Sequence, residues 1–495
     1  EITPIGTASA PFYGYFSGDG HTISNFTINS EGDNVGLFGY MHNKGVIMNL
    51  GVFNAKVNGG SNVGAICGYS EGYIVNCYVF ADVEASGNYA GGICGQNSGS
   101  TIRNCYFVGT VKGTNKVSPI ASGSGSVDKC YYNKDLFTGS VINNGTGLNT
   151  ESMTNNDALH FFMSGFGSFL TIKSNDKGAN GSGTAYYPIF PNTKVTPSVN
   201  YTTELTFTTA NTNITYGDDI VFDGSMKISF DNGGYTYYIN TAQYAITIDN
   251  KSVVDSITTN ADYQTFSAIY KPTKAGEITF TLVYDNPNCA FVDGKLTKDL
   301  TVNIARKTLT ADDFNFSIMS SNLVFDGKPK SALVMPKSGI DGMGNQIDVK
   351  YFDSEGNGVT SAINAGKYTM KIDVSEGVGY EAASNLTSED WTFTIKKASS
   401  LTIPNINLSY KWAANKDIMI IVGIPDNAGA VNDVSSTLSN ESTIEVDLTG
   451  NYTANGEFTL HVGPNTAADI GKKRTINVEL VTGNYESVTF SIIVT

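Results

Sequence analysis

Two different patterns of apolar and polar positions divide the chain near residue 195. Before this point short apolar stretches alternate with glycines, and one short pattern recurs five times, at steps of 24, 27, 28 and 25 residues. Its copies are Ile23-Ser24-Asn25-Phe26, Ile47-Met48-Asn49-Leu50, Ile74-Val75-Asn76-Cys77, Ile102-Arg103-Asn104-Cys105 and Val127-Asp128-Lys129-Cys130. A repeat of roughly 20 to 30 residues made of short strands and glycines predicts a solenoid, because each coil can bury its apolar face only against the next.

A parallel β-helix fits this repeat best, and it predicts ladders of equivalent residues about 4.8 Å apart. The first residues of the copies are expected to form an interior aliphatic ladder: Ile23, Ile47, Ile74, Ile102 and Val127. The third residues are expected to form an amide ladder at a corner, since asparagine is favoured in turns. Its members are Asn25, Asn49, Asn76 and Asn104, and Lys129 ends it.

A second element lies between these copies and places tyrosines after equivalent glycines. It reads Asn34-Val35-Gly36-Leu37-Phe38-Gly39-Tyr40 in one coil, Asn62-Val63-Gly64-Ala65-Ile66-Cys67-Gly68-Tyr69 in the next and Ile93-Cys94-Gly95-Gln96 in a third. Together the two elements resemble the GLUG-motif repeats of bacterial surface proteins, over roughly residues 11 to 192. The resemblance implies a β-helix exposed at the cell surface, with a role in adhesion and no active site of its own.

The exit from the repeats carries a short helical pattern from about Glu151 to Phe162, with Thr150 as the expected N-cap. Its apolar residues are Met153, Leu159, Phe161 and Phe162. Because the open end of a solenoid exposes unpaired strand edges, we expect this segment to cover that end.

Beyond Pro191 the glycine pattern stops, and longer runs of alternating apolar and polar residues begin, as in Tyr244–Ile248. Such runs are typical of sandwich strands. Three of them start after Gly276, Gly366 and Gly471, which are 90 and 105 residues apart, the length of one immunoglobulin-like sandwich. The predicted domains are a β-helix with its cap at 1–195 and immunoglobulin-like β-sandwiches at 196–306, 307–397 and 398–495.

The second sandwich resembles the MBG-type immunoglobulin-like domains that occur in repeat arrays of bacterial surface proteins. The resemblance rests on Phe325-Asp326-Gly327-Lys328, Asn364-Ala365-Gly366-Lys367-Tyr368-Thr369 and Trp391-Thr392-Phe393-Thr394-Ile395. The first and third sandwiches resemble these domains more weakly. The expected fold class is therefore all-β, with a parallel β-helix followed by three sandwiches.

Charge and composition restrict the partners. The formal net charge is −15, and only three arginines occur, so no basic stripe could neutralise a nucleic-acid backbone. No stretch approaches the roughly 18 apolar residues that a membrane helix needs. Glu1 in place of Met indicates a mature or trimmed chain, and we expect an extracytoplasmic location, either secreted or at a bacterial cell surface.

Candidate catalytic and metal-binding residues do not form a recognisable constellation. The solenoid carboxylates do not fall at matched places in adjacent coils: Asp19, Glu31, Asp33, Asp82, Glu84 and Asp128. Glycoside hydrolysis needs two facing carboxylates. The histidines, His21, His42, His160 and His461, are scattered without metal-ligand spacing. We therefore expect no catalytic residues, no metal site and no cofactor, although the loops at Asp218-Asp219 and Asp285-Asn286 could hold a structural calcium ion.

Five of the six cysteines lie in the repeats, where Cys67 with Cys94 and Cys77 with Cys105 come close enough for disulfides. Buried thiols are nevertheless favoured, because cysteine packs as a small hydrophobic residue.

The leading hypothesis is a surface-exposed binding or adhesion protein. Its solenoid would recognise a glycan, a mucin or a protein of a host or the environment, and its sandwiches would form a stalk. Tyr40 and Tyr69 are the candidate ligand-binding residues, although packing alone could explain them. Two alternatives are a polysaccharide-degrading β-helix enzyme, either lyase or glycoside hydrolase, and a non-catalytic spacer of a larger surface protein.

Overall fold

The computed structural model describes residues 2–139, 145–155, 157–159, 163, 166, 169–178, 181–409, 416–439, 444–449, 456–463 and 467–495. Strands account for 54% of the described residues and helices for 4%, which confirms the all-β prediction. Within the described ranges no helix is long and apolar enough to cross a membrane.

The residues divide by their internal contacts into two compact units. Unit 1 comprises Glu1–Thr212, Asp219–Lys271 and Glu277–Val302. Unit 2 comprises Asn213–Asp218, Pro272–Gly276 and Asn303–Thr495.

Unit 1 begins with a parallel β-solenoid of about 4 turns. Its strands are β1 Tyr15–Asn29, β2 Phe38–Met41, β3 Val46–Gly59, β4 Val63–Gly64, β5 Cys67–Ser70, β6 Tyr73–Val75, β7 Tyr78–Gly91, β8 Cys94–Asn97, β9 Thr101–Arg103, β10 Tyr106–Ser118, β11 Ala121–Gly123, β12 Ser126–Asp128, β13 Tyr131–Asn133 and β14 Thr146–Leu148. One sheet has the order β12-β9-β6-β3-β7-β10-β13-β14, with β1 beside β3, and a second has the order β11-β8-β5-β2. The predicted parallel β-helix is thus confirmed.

The interior ladders differ from the prediction in the first coil. Phe16 lies beside Ile47, and the ladder continues through Ile74, Ile102 and Val127. Ile23 instead lies beside Val52. The placement of Ile23 was therefore wrong, because the first coil reaches the corner through Gly18-Asp19-Gly20, where the pairing of β1 with β3 shifts its register.

The amide ladder is confirmed for three of its four predicted members. Asn76 Nδ2 donates to Asn49 Oδ1 at 3.2 Å, and Asn104 Nδ2 donates to Asn76 Oδ1 at 3.1 Å. These residues adopt positive φ angles of 49° to 53°, a left-handed conformation that asparagine tolerates well. Asn25 stands elsewhere, and its Oδ1 accepts a hydrogen bond from Asn54 Nδ2 at 2.7 Å.

The glycines of the second repeat element allow two backbone stretches to touch. A Cβ on Gly68 would lie 2.3 Å from the carbonyl carbon of Asn34, and one on Gly95 would lie 2.3 Å from that of Asn62. These distances are too short for any side chain. The motif therefore needs glycine here for close approach between successive coils.

The exit segment packs against the side of the solenoid. After β14 comes the short helix α1 Thr150–Thr154, whose N-cap is Asn149, with its side chain accepting the Ser152 N–H at 2.8 Å. The prediction of Thr150 as the N-cap was wrong by one residue. Met153 and Leu159 are buried as expected, whereas Phe161 and Phe162 lie outside the described residues.

Two aromatic side chains that follow the helical segment cover three successive coils. Phe166 packs against Tyr106 and Tyr131, with ring centroids 6.1 and 5.8 Å apart, and Phe190 packs against Tyr78 at 5.3 Å. Tyr78 and Tyr106 are fully buried as a result. Phe166 and Phe190, which follow the predicted helical segment, thus cover a lateral face of the coils, and β14 extends the sheet as its last strand on this path. That residues 151–162 cover the open end of the solenoid stays a prediction.

The first sandwich is built mostly from unit 1. Its strands are β15 Asp176–Lys177, β16 Ser182–Tyr186, β17 Ser198–Thr209, β18 Asn213–Thr215, β19 Ile220–Phe230, β20 Tyr235–Tyr237, β21 Tyr244–Ile248, β22 Lys251–Ser252, β23 Thr258–Thr259, β24 Phe266–Tyr270, β25 Gly276–Asp285 and β26 Lys295–Ala305. A 3-10 turn covers Thr241–Gln243. Strand β16 pairs antiparallel with β17. Hydrogen bonds therefore cross the predicted boundary at residue 195.

Unit 2 contains two further sandwich modules, each with its own apolar core. The strands of the first are β27 Phe314–Ile318, β28 Ala332–Pro336, β29 Ile347–Phe352, β30 Gly358–Val359, β31 Gly366–Val374, β32 Ala383–Leu386 and β33 Thr392–Ile395. Those of the second are β34 Ile406–Leu408, β35 Lys416–Ile421, β36 Val431–Leu438, β37 Val446–Thr449, β38 Glu457–Val462, β39 Arg474–Thr482 and β40 Val488–Val494. Short 3-10 turns cover Ala311–Asp313, Asp426–Ala428 and Ala467–Asp469. The division into four domains, with boundaries at 195/196, 306/307 and 397/398, remains a prediction.

Candidate functional site

Tyr40 and Tyr69 lie at equivalent places in adjacent coils. Strand β2 pairs in parallel with β5, and Tyr40 lies directly beside Tyr69. Next to Tyr69, on β8, lies Gln96. Each is partly exposed and is followed by a buried residue. The repeat therefore brings the two tyrosines together, as the equivalent glycines before them predict.

The two rings stack, with centroids 4.5 Å apart and planes 18° from parallel. Tyr40 Oη donates a hydrogen bond to Glu71 Oε1 at 3.0 Å. Burial, together with this bond to the carboxylate, raises the pKa of the Tyr40 hydroxyl above its ordinary value. The hydroxyl therefore stays protonated and fixes the position of Glu71.

A second stack lies one step further along the coil. Tyr13 and His42 have ring centroids 3.9 Å apart and planes 23° from parallel. A parallel bridge between Phe12 and Met41 places them side by side. Sequence reasoning missed this pair, because it treated His42 only as a scattered histidine. The spacing in the sequence could have predicted this stack, because Tyr13 precedes His42 by the same number of residues as Tyr40 precedes Tyr69.

We call Tyr13, Tyr40, His42, Tyr69, Glu71 and Gln96 together the corner array. In a stacked pair the two ring faces that meet are closed to a ligand. Only ring edges, hydroxyl groups and the outer faces of the end rings remain for binding, together with the Glu71 carboxylate and the Gln96 amide. The chemistry offered is thus mainly directional hydrogen bonding, with limited area for stacking.

The long strands of the solenoid present rows of exposed charged and polar residues. Lys56 lies beside Asp82 and Asp82 beside Thr110, whose hydroxyl donates to Asp82 Oδ1 at 2.6 Å. In the next row Glu84 lies beside Lys112. Two of the carboxylates weighed from the sequence, Asp82 and Glu84, therefore share one side of β7. Both are exposed, whereas a general acid in glycoside hydrolysis needs surroundings that keep it protonated.

Other solenoid carboxylates have structural partners. Asp33 Oδ1 accepts the Ser61 N–H at 2.6 Å, and Asp128 forms an ion pair with Arg103 at 2.9 Å. These contacts tie one coil to the next.

The other candidates for metal binding were the remaining histidines and two acidic loops. His21 Nδ1 lies 3.2 Å from the backbone carbonyl oxygens of Gly18 and Asp19. His461 Nδ1 lies 2.6 Å from Asp417 Oδ1 in the last module, and His160 lies outside the described residues. Asp218 Oδ2 accepts the Thr215 N–H at 3.4 Å, and Asp285 pairs with Lys295 at 2.6 Å. Among the residues with described positions, no three His, Cys, Asp or Glu side chains are placed to share a metal ion. The structural calcium ion stays a prediction.

A cleft of about 680 Å³ lies on the first sandwich and was not expected from the sequence. The Asp285–Lys295 ion pair and Thr247 line it, and Tyr244 contributes to the lining. The ring of Tyr244 packs against Phe266 and Tyr284, with centroids 4.3 and 5.0 Å apart, and is 7% exposed. Among the described residues that line the cleft, none therefore offers an exposed aromatic face on which a sugar ring could stack.

Comparison with known proteins agrees with the repeat assignment. Residues 86–112, from the end of β7 into β10, match the GLUG motif. A segment of 107 residues is 36% identical to halomucin of Haloquadratum walsbyi (strain DSM 16790 / HBSQ001) and covers 21% of this chain. The match spans 1% of the length of that relative. The prediction of GLUG repeats is thus confirmed, while the MBG resemblance of the second sandwich stays a prediction.

Solved structures show only distant likeness. FdeC, an Escherichia coli adhesin, aligns with 58% of this chain and 96% of its own, at 15% identity and a TM-score of 0.20. Domains 5–6 of the S-layer protein SbsC align with 60% of this chain and 99% of theirs, at 13% identity and a TM-score of 0.15. An endo-fucoidan hydrolase of glycoside hydrolase family 107, MfFcnA9, aligns with 58% of this chain and 32% of its own, at 12% identity and a TM-score of 0.14. At such TM-scores none of these likenesses bears on function.

Proposed function

We propose that this chain is part of an extracellular, surface-exposed binding or adhesion protein. The observation that carries the proposal is a solenoid of GLUG-type coils, in a chain of which 107 residues are similar to part of halomucin, a large cell-surface protein. The solenoid presents the ligand-binding surface, and the three sandwich modules serve as a stalk.

The corner array is the proposed ligand-binding surface, with Tyr40 and Tyr69 at its centre. Its hydroxyl, carboxylate, imidazole and amide groups suit a ligand rich in hydrogen-bonding groups. An extracellular glycan, a mucin that carries such glycans, or a polar protein surface has this chemistry. Tyrosine is enriched at binding hot spots because it joins a rigid apolar ring to one polar group.

The proposed role is binding without catalysis. Asp82 and Glu84 share an exposed side of β7, each beside a lysine of a neighbouring coil. This environment favours a structural role, in which the exposed carboxylates interact with lysines of adjacent coils. Neither carboxylate has the apolar enclosure that keeps an acid catalyst protonated.

A binding screen on the intact chain tests the proposal. The chain should not be cut at residue 195, because the pairing of β16 with β17 would be lost. The whole chain is screened against immobilised glycans and mucins, and the same polysaccharides are analysed for new reducing or unsaturated ends. We expect saturable binding without new ends. Release of new ends would contradict the proposal and indicate a polysaccharide-degrading enzyme. Neither binding nor release of ends would favour a non-catalytic spacer.

Point variants locate the surface. Tyr69→Ala removes one ring of the stack, and we expect it to weaken binding about tenfold or more, which is roughly 1.4 kcal/mol. The matched control is Tyr235→Ala, which removes a tyrosine that is 55% exposed on the first sandwich. Equal losses in both variants, or none in Tyr69→Ala, would exclude the corner array as the ligand-binding surface.

A further inference from the structure

Asn484 lies between β39 and β40 and joins the last two sandwich modules. Its side chain is only 2% exposed. Its Oδ1 accepts the backbone N–H of Ala365 at 2.8 Å, and its Nδ2 donates to Asn364 Oδ1 at 3.0 Å and to the backbone carbonyl of Asn427 at 2.9 Å. Both amide hydrogens and the amide oxygen are therefore used. Asn364 and Ala365 belong to the module before, so one buried side chain bridges the two modules.

The chain between these modules is bonded on both sides. The N–H of Lys396 donates to the carbonyl of Leu323 at 2.7 Å, and its carbonyl accepts the N–H of Phe325 at 2.8 Å. Two residues later, the N–H of Ala398 donates to the carbonyl of Asn484 at 2.9 Å. A hinge needs a few residues that are free to change φ and ψ. Here Lys396 is held by one module and Ala398 by the other.

An aromatic contact and a lysine complete the junction. Phe325 and Tyr485 pack edge to face, with ring centroids 5.5 Å apart and planes at 72°. Phe325 is 4% exposed. Lys397 Nζ donates to the carbonyl of Thr482 at 2.7 Å, so the residue between the two bonded positions is also held.

The same arrangement occurs a second time within unit 2. Tyr216 and Tyr380 pack edge to face at 5.8 Å and 66°, as Phe325 and Tyr485 do. The N–H of Lys307 donates to the carbonyl of Gly379 at 2.9 Å, as Ala398 does to Asn484. The N–H of Ala275, which corresponds to Ala365, donates at 2.7 Å to the carbonyl of Val378.

The two copies of this arrangement therefore share the aromatic pair and the backbone hydrogen bond of the linker, but they differ in one acceptor. In the second copy a backbone carbonyl takes the place of the Asn484 side chain. The recurrence indicates that the arrangement itself, an aromatic pair beside a bonded linker, is the repeated feature.

We propose that this junction is a fixed joint, so that residues 307–397 and 398–495 keep one mutual orientation and move as a single body. Asn484 is its central positioning residue. A buried amide with three partners resists separation, because opening the joint would leave the Ala365 N–H and the Asn364 amide without partners until water replaced them. The proposal does not depend on the ligand of the solenoid.

Pulsed electron paramagnetic resonance on the full chain tests the joint. Spin labels are attached to cysteines introduced at Glu389 and Glu479, which are exposed residues on the two modules. The native cysteines are buried and outside these modules, so brief labelling is selective. We expect a single narrow distance distribution in the unmodified joint. A broad distribution there would overturn the proposal without the need for any variant.

Variants then assign the rigidity to Asn484. Asn484→Ala removes all three side-chain bonds, and we expect a severalfold broader distance distribution together with faster trypsin cleavage after Lys396 and Lys397. The matched control is Asn477→Ala, which removes an exposed asparagine of β39 whose Oδ1 accepts a hydrogen bond from Ser491 of its own module. Far-ultraviolet circular dichroism verifies that both variants remain folded. If Asn484→Ala is folded and stays as narrow and as resistant to trypsin as the control, Asn484 does not hold the joint.

Discussion

The backbone N–H of Cys77 donates to Cys105 Sγ at 3.4 Å, so the two cysteines lie directly beside one another in adjacent coils. Cys130 continues this column in the next coil. Each thiol donates to a nearby backbone carbonyl; for Cys105 this is the carbonyl of Arg103 at 3.2 Å. Burial raises the pKa of the Cys105 thiol, and hydrogen bonding to its two neighbouring cysteines adds to the effect.

These thiols are expected to be unreactive in the folded chain. All six cysteines are free and buried, and thiol reagents attack the thiolate, which burial disfavours. Titration with a chromogenic disulfide reagent should give almost no fast reaction under native conditions and six equivalents in denaturant. Fewer than six equivalents in denaturant without reductant would reveal disulfides, and fast native reaction would contradict the burial.

Lys129→Asn is expected to stabilise the solenoid. Lys129 occupies the ladder position after Asn104 with a φ of 49°, which strains a lysine more than an asparagine. Within the described part of the chain, the buried Asn104 Oδ1 has no hydrogen-bond partner, and an amide at position 129 could donate to it. We expect a gain of about 1 kcal/mol from the new bond. Differential scanning calorimetry should show a higher transition for the solenoid.

Lys129→Ala serves as the control for this change, because it removes the lysine without supplying an amide. It should not stabilise the chain. A gain in Lys129→Ala equal to that in Lys129→Asn would attribute the effect to the lost charge instead of the ladder.

Within the same ladder, Asn76→Ala and Asn76→Gly distinguish the loss of amide hydrogen bonds from the strain of a left-handed backbone conformation. Asn76 has a φ of 53° and makes two amide bonds, to Asn49 and Asn104. Both variants lose these bonds, at about 1 kcal/mol each. Alanine also meets the left-handed penalty of about 1 to 2 kcal/mol, which glycine avoids. Asn76→Ala should therefore lower the calorimetric transition more than Asn76→Gly, and equal losses would show that backbone strain is unimportant there.

The repeats made most of the solenoid predictable, and the failures occur where the coil is irregular. The recurring pattern, at steps of nearly equal size, placed Ile47, Ile74, Ile102 and Val127 correctly, because in-register parallel strands repeat residue by residue. The prediction for the first coil was wrong. Sequence similarity matched Ile23 to Ile47, but the register shift between Ser17 and His21 places Ile23 beside Val52. Local sequence does not reveal how many residues a corner uses.

The candidate site was predictable in part for the same reason. Equivalent glycines paired Tyr40 with Tyr69, but the glutamate that binds Tyr40 and the stack of Tyr13 on His42 depend on side-chain directions at a turn. The covering of Tyr78 and Tyr106 by Phe190 and Phe166 also escaped prediction, because it depends on contacts between distant parts of the chain.

The ion pair of Asp326 and Lys330 should make the stability of the second sandwich depend on pH. Lys330 is 6% exposed and lies 2.9 Å from Asp326, and its hydrogen bond holds the pKa of that carboxyl below its ordinary value. The folded module thus binds the Asp326 proton less tightly than the unfolded chain does. The pair therefore stabilises the module above the ordinary aspartate pKa of about 3.9, and this contribution is lost as pH falls through the lower, folded value.

Asp326→Asn should accordingly lower the urea midpoint of this module at pH 7 and match the unmodified chain at pH values below the folded pKa, where the carboxyl is neutral in both states. Trp391 reports on the module, since it is 3% exposed in its core, and a Trp412→Phe background removes the other tryptophan. Asp348→Asn, which neutralises an exposed aspartate on β29, should change the midpoint little at either pH. A difference that persists undiminished in acid would mean that the charge of Asp326 does not carry its effect on stability.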